Sequence, residues 1–448
     1  MMSAVGFCLF ASLSSVSLAQ TVNPASSKAI LTAATPENIS LEWTLQQALL
    51  KNNRLQLFSF EQRITEALEI QANLSPNPTL EVTVENIFGS GQVSGINRAQ
   101  TTFALSQVIE MAGKRQRRIE LVHAKQRQQL SEYELQRMEV LSETTARYYR
   151  VLHLQAIKRW LDEKLNIELT ALNNIKQRAQ AGNVTQADVS RVLLRVTKTR
   201  RDLQSTISGL NIKKQELAMM WSEQAKFEVV EGRLSLNTPL PKTEKVLNAI
   251  ESSPEFMQLL NVEQILKAKT RAEIAKGEVD ISVGLGVRRY EEFDDSAFML
   301  TFSMPLALTN SNQGNILAAK QRENKLLQQQ KLARSQIRLT LLAIQQRLKT
   351  THELLQSLSR NNLPLAQQLM QETAQAYNAG KVNVLQLLDA QNELFEVQLE
   401  LINNKFEVVM QLLELERITG QSMTQHTTNS NNSNHASNFT SKTIQEQN

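Results

Sequence analysis

The chain has 448 residues, with 49 Lys and Arg against 44 Asp and Glu, for a net charge of +5. The length would hold two or three ordinary domains. With only 14 Gly, 9 Pro and 5% aromatics, the composition instead favours long helices with solvated charged faces. Acids and bases are interleaved, so nucleic-acid binding gains little support. The single cysteine, Cys8, leaves the remainder of the chain without disulfides or Cys-based metal and redox sites.

In chain order, Val5 to Ala11 opens an apolar run, and Ser17-Leu18-Ala19 before Gln20 fits a small-residue cleavage site. Residues 1–19 therefore read as a signal peptide, although no Lys or Arg precedes Lys28. Phe7 before Cys8 argues against lipidation. Residues 20–39 are expected to be a flexible leader. No later stretch is apolar over the roughly 18 residues a transmembrane helix needs.

From there the chain is written twice. Leu45-Gln46-Gln47-Ala48-Leu49 aligns with Val246-Leu247-Asn248-Ala249-Ile250. The turn Ala181-Gly182-Asn183-Val184 aligns with Ala379-Gly380-Lys381-Val382. Landmarks recurring in one order predict a duplication, with repeats at 40–235 and 236–420.

Each repeat predicts two strands. Leu80, Val82 and Val84 alternate with acids and Thr in 79–88; Phe103, Leu105 and Ile109 alternate with smaller residues in 101–109. The second repeat has Val279 to Val287 in 279–288 and Phe298 to Leu306 in 298–306. Period two means one apolar and one polar or small face, and about nine or ten residues suffice for a tilted strand to cross a bilayer. The links at 89–100 and 289–297 read as exposed hairpin loops.

The helices expected at 111–181 and 312–378 are interrupted only by Pro364, which predicts a kink or join. Beyond the turns the spacing is heptad-like: Val189, Leu193, Val196, Leu203, Ile207, Leu210 and Leu217, then Val384, Leu387, Leu394, Leu401, Val408, Leu412 and Leu415. The segment 421–448 is nearly all Asn, Ser, Thr, Gln and His and reads as a disordered polar tail.

In a membrane, strands survive only in closed barrels. Four are too few, since single-chain barrels begin at about eight. Subunits must pool strands: eight from a dimer would leave a filled interior, while twelve from a trimer leave room for a channel.

The stretch Leu74-Ser75-Pro76-Asn77-Pro78-Thr79-Leu80-Glu81-Val82 through Glu85-Asn86 resembles TolC-family outer-membrane factors, and most of all their CzcC-like branch. So does Leu105-Ser106-Gln107-Val108-Ile109-Glu110 with Gly113-Lys114-Arg115. The resemblance covers roughly residues 40–420. It implies an α+β membrane protein: a homotrimer with four transmembrane strands per subunit, a twelve-stranded barrel in outer-membrane lipid and a periplasmic coiled-coil α-barrel. It also implies a passive conduit for heavy-metal cations in a Gram-negative outer membrane, served by a periplasmic adaptor and a proton-driven inner-membrane pump. The same channel could serve drug or type I polypeptide export. A periplasmic coiled-coil scaffold is the reading from another class, but a scaffold has no use for four bilayer-length strands.

The family narrows its pore with a Val-Asp-Val-Leu-Asp-Ala motif after the second turn glycine. Counted from Gly380, its last Asp falls on Asp389 and its first on Gln386, a departure that leaves one acidic ring. Asp188 holds the matching place after Gly182, and Lys381 is expected to pair with it. Gly182, Asp188, Gly380 and Lys381 are thus the expected helix-tip gate and adaptor contact. The acids also suit solvated helix starts on electrostatic grounds alone. Walker, Gly-x-Ser-x-Gly and His-Glu-x-x-His motifs are missing, and His123, His153, His352, His426 and His435 form no ligand spacing. No enzyme, cofactor or metal site is expected, and Trp43, Trp160 and Trp221 read as packing residues.

Overall fold

The computed structural model describes residues 36–93, 95–234 and 240–421. The expected signal peptide and all of the tail except Gln421 lie outside them. The expected leader ends earlier than residue 39: β1 (Asn38–Ile39) pairs in parallel with β4 (Val229–Val230). Ile39 is buried in a core with Tyr148, Leu217 and Trp221, and the Tyr148 hydroxyl donates to the Ile39 carbonyl at 3.2 Å. An apolar residue with its backbone bonded on a core edge cannot behave as a loose leader.

Ser40 caps α1 (Leu41–Lys51), its side chain accepting from the Trp43 amide. Short α2 (Asn53–Gln56) and α3 (Phe58–Asn73) lead to a hairpin of β2 (Thr79–Glu85) and β3 (Gln100–Ile109). Then come α4 (Lys114–Gln180) and α5 (Gln186–Ala218). After β4 the same order recurs: α6 (Thr243–Asn248), α7 (Pro254–Lys276), β5 (Ile281–Tyr290) and β6 (Asp295–Ser303). It ends with α8 (Gln313–Ser357), α9 (Leu363–Asn378) and α10 (Val384–Thr419).

The hairpins join into one antiparallel sheet ordered β2-β3-β5-β6. Its register stacks Leu80, Leu105, Leu285 and Leu300 in one row and Val82, Phe103, Val287 and Phe298 in the next. This face is bare, Phe298 being 94% exposed. The other face carries Glu81, Thr102, Ala104, Gly284, Gly286 and Arg288, with Arg288 donating to Thr102 Oγ1 at 2.9 Å. Strand β2 stops short of residue 88 because Asn86 and Phe88 turn to φ of 59° and 58°. The second hairpin is tighter than expected, since Tyr290 pairs with Asp295 and Arg289 bridges Glu291 and Asp294 across the turn.

Helix α4 runs 67 residues without a break, about 100 Å at 1.5 Å per residue. Its counterpart is broken where Pro364 requires it: a π turn over Leu358–Asn362 separates α8 from α9. Proline lacks the amide and collides with the preceding turn, and the wider turn absorbs both faults. The heptad seams are shifted from expectation. Leu193 is 48% exposed while Val192 is buried, and Leu388 and Phe395 are buried where Leu387 and Leu394 are half-buried. Each helix packs on several neighbours, so its buried stripe is wider than a two-helix seam. Trp221 packs edge-on against Trp43 at 5.6 Å, and Trp160 against Phe395 at 6.4 Å.

Candidate channel tip

The two turns are built alike. Gly182 and Gly380 take φ of 75° and 69°, and a Cβ on either would meet open space within 4 Å. Glycine is therefore required by backbone conformation, not by crowding. In the first turn the Asn183 amide donates to the Arg178 carbonyl at 2.9 Å; in the second, the Lys381 amide donates to Ala376 at 2.9 Å. These bonds satisfy carbonyls left open at a helix end.

A capping box follows each turn. The Thr185 hydroxyl accepts from the Asp188 amide at 3.3 Å, and Asp188 Oδ2 accepts from the Thr185 amide at 3.2 Å. Asn383 and Gln386 exchange equivalent bonds at 3.0 and 3.1 Å. Reciprocal bonding of this kind satisfies donors that the first turn of a helix leaves open.

Two expectations change here. Asp188 is held by Thr185 and lies 3.6 Å from Arg191, so the expected pair with Lys381 does not form. Gln386 takes its capping role, and its side-chain oxygen is bound to its own helix start. Asp389 differs: it is exposed and, among the described residues, makes no hydrogen bond or ion pair.

Beneath the turns, Leu172 and Ile175 of α4, Val189, Val192 and Val196 of α5, and Val384 and Leu388 of α10 form a buried cluster. It is sealed by Arg195, whose Nη1 donates to the Leu388 carbonyl at 2.9 Å and to Asn392 Oδ1 at 3.1 Å. Arg178 also stacks 4.4 Å over the Tyr377 ring. Sequence reasoning missed Arg195 and Arg178. The trace of Arg195 is a base beside the heptad position Val196, while Arg178 lies in the last turn of α4, where no heptad was expected.

At the opposite end of α4, Lys114 pairs with Asp280 at 2.8 Å, and Asp280 accepts from the Met111 amide at 3.0 Å. Arg118 binds Glu110 and donates to the Leu74 carbonyl at 2.9 Å. This network fastens both hairpins to the root of the longest helix. Among the described residues, no group of three His, Cys, Asp or Glu side chains could hold a metal, and no helix is long and apolar enough to cross a membrane.

A family model for outer membrane efflux proteins matches residues 278–421, which hold β5, β6 and the second turn. The chain is 24% identical over 397 residues to the cobalt-zinc-cadmium resistance protein CzcC of Cupriavidus metallidurans, covering 86% of this chain and 90% of that protein. Residues 278–421 thus carry the outer membrane efflux protein family's pattern, and similarity to TolC-type channels extends over most of the chain. The nickel-cobalt-cadmium resistance protein NccC of Alcaligenes xylosoxydans xylosoxydans is 22% identical over 62% of this chain and 63% of its own length. The fold matches the solved CusC channel with a TM-score of 0.70 at 14% identity, over 85% of this chain and 91% of that one. As an outer-membrane efflux channel component, the protein is a passive conduit rather than an enzyme, with its helices extending into the periplasm.

Proposed function

We propose that three copies pool their sheets into one twelve-stranded barrel and their helices into a periplasmic α-barrel. The observation that carries this reading is the sheet itself. Its apolar face is bare, and β2 and β6 each have a neighbour on one side only among the described residues. Unpaired strand edges are not tolerated in hydrocarbon, and four strands do not close. In this reading the two halves are repeats, 40–235 and 236–420.

The trimer is the exit duct of a tripartite pump for heavy-metal cations, driven by a proton-coupled inner-membrane partner and joined through a periplasmic adaptor. The names of CzcC and NccC support the cargo, being those of cobalt, zinc, nickel and cadmium resistance proteins. Gly182, Gly380 and Lys381 at the turns are the adaptor contact. Asp389, repeated three times around the axis, is the charged constriction, with Gln386 beside it as a neutral cap. Native mass spectrometry of the detergent-extracted protein should give a trimer from the outer-membrane fraction. A deletion strain should become sensitive to zinc, cobalt or cadmium. Unchanged metal tolerance with new sensitivity to organic toxicants would move the cargo to drug export, and a soluble monomer would sink the barrel.

A further inference from the structure

With Leu80, Phe103, Val287 and Phe298 on the apolar side of the sheet, alternation puts Glu81, Glu85, Thr102, Arg288 and Asp295 on the other. Arg288 is the single base on that polar face of the four strands. Arg289, next in sequence, belongs to the apolar side and is bound by Glu291 and Asp294 of its own hairpin. Arg98, in the first hairpin loop, is taken up by Glu292 at 2.9 Å.

Arg288 lies along the wall. Its Nε donates to Thr102 Oγ1 at 2.9 Å and its Nη1 to Gln100 Oε1 at 3.4 Å, both on β3. Its Nη2 comes within 3.4 Å of Glu85 Oε2 on β2. Adjacent strands stand about 4.8 Å apart, so an arginine rooted on β5 meets β2 only when laid flat across β3. Thr102, under the guanidinium, is 4% exposed. The next row towards the helices holds Ala104 and Gly286, too small to wedge the side chain, so its polar partners hold it. Asp295 shares the row of Glu85 and Gln100 but, among the described residues, its side chain makes no hydrogen bond or ion pair.

In the twelve-stranded barrel, the reading on which this inference rests, the apolar face meets lipid and the polar face lines the lumen. The hairpin turns close the strand ends away from the long helices. The row of Glu85 and Asp295 therefore encircles the outer mouth, repeated three times. A guanidinium keeps its charge at any working pH, so its effect on passing ions depends on where it lies. Against a carboxylate its field is largely cancelled; projecting into the lumen it repels cations.

We infer that Glu85 positions Arg288 against the barrel wall and that this pair sets the charge selectivity of the outer mouth. Held flat, Arg288 is cancelled by Glu85, and Glu81 and Asp295, which no base partners, keep the mouth attractive to cations. Released, three arginines turn into the lumen and oppose the outward passage of cations. Selectivity at this end is separate from that of Asp389, which stands at the far end of the helices.

The test is the reversal potential of the full-length protein in planar bilayers, under a salt gradient at low ionic strength, with assembly followed by native mass spectrometry. Glu85→Gln and Asp295→Asn each remove one acid from the same row, but only the first frees the arginine. Glu85→Gln should lower the cation-to-anion permeability ratio at least twofold further than Asp295→Asn, and adding Arg288→Gln should return it to the parent value. Equal effects of the two single substitutions overturn the positioning role. Trimers whose ratio is the same in every variant overturn the selectivity and leave the barrel standing; a monomer refutes the barrel and the inference with it. The second arm reads position directly, in trimers carrying Cys8→Ser and Thr102→Cys. A membrane-impermeant methanethiosulfonate should label residue 102 slowly, and at least tenfold faster once Glu85→Gln is added. Equal labelling rates show that Glu85 does not hold Arg288 over the strand and overturn the proposal.

Discussion

Gly286 offers the sharpest test of the sheet. A methyl carbon there would lie 2.8 Å from the Phe103 carbonyl oxygen and 3.2 Å from both Cα and Cβ of Ala104. Ordinary contact begins at 3.4 Å, so about half an ångström must be found between β5 and β3. Strand β5 cannot simply retreat, because β6 is bonded to its other edge. Overpacking of this kind costs about 1–3 kcal/mol, a loss of roughly fivefold to more than a hundredfold in the folded-to-unfolded ratio. Gly284→Ala meets Ser106 Cβ at 3.2 Å and the Leu105 oxygen at 3.3 Å, so its cost should be smaller. Gly314→Ala, in a helix with nothing within 4 Å, should be neutral or gain up to about 1 kcal/mol in helix propensity. Urea midpoints of the three purified variants, with band shift of the unheated protein on cold gels as a measure of folded sheet, give the order directly. If Gly286→Ala unfolds at the same midpoint as Gly314→Ala, the close approach of β3 and β5 does not constrain the sheet, and the argument fails.

Asp389→Asn removes charge at nearly constant size, so planar-bilayer recordings should show weaker cation preference, most clearly at low ionic strength; unchanged selectivity would leave Asp389 a solvated helix-start residue. Gly182→Val with Gly380→Val forces a β-branched side chain into positive φ at both turns, and efflux should fall while oligomers survive on native gels; normal efflux by an assembled double variant would remove the turns from the adaptor contact. Burial lowers the pKa of His153, which stacks on Phe406 at 4.1 Å, against the opposing pull of Asn403 and Glu407. The unfolded chain therefore binds the extra proton first, and stability should decline as pH falls below about 6.5. His153→Gln should flatten that slope in melting curves, and an unaltered slope would place the titration elsewhere.

The sheet was the most legible part of the molecule, because a period of two allows only one assignment of faces. Val82, Phe103, Val287 and Phe298 alternate with polar or small neighbours in sequence and stand in one row of the structure. Strand ends were less legible: nothing in Asn86 and Phe88 as residue types announces left-handed backbone, and β2 stops there. Gly182 and Gly380 were legible because a glycine after a long helix is the cheapest way to end one. The roles of Asp188 and Gln386 were half legible. The spacing of Thr185 to Asp188 and Asn383 to Gln386 spells a capping box, but the family motif drew attention to the pore instead.

By itself the sequence determined the element types, the duplicated order, the face each strand turns outward and the break at Pro364, all of which follow from local periodicity and backbone chemistry. Only the tertiary structure decided which apolar positions form the seams. Three or more helices converge on each buried stripe, so the stripe's phase depends on where the neighbours sit, and Val192 and Leu388 are buried where heptad spacing favoured Leu193 and Leu387. It also decided that Arg195 closes the tip while Asp389 stays free. Arg195 is a long donor that reaches the Leu388 carbonyl and Asn392 Oδ1 across the seam, whereas Asp389 is a short acceptor on an exposed face, and which groups lie across a seam is not recorded in linear spacing.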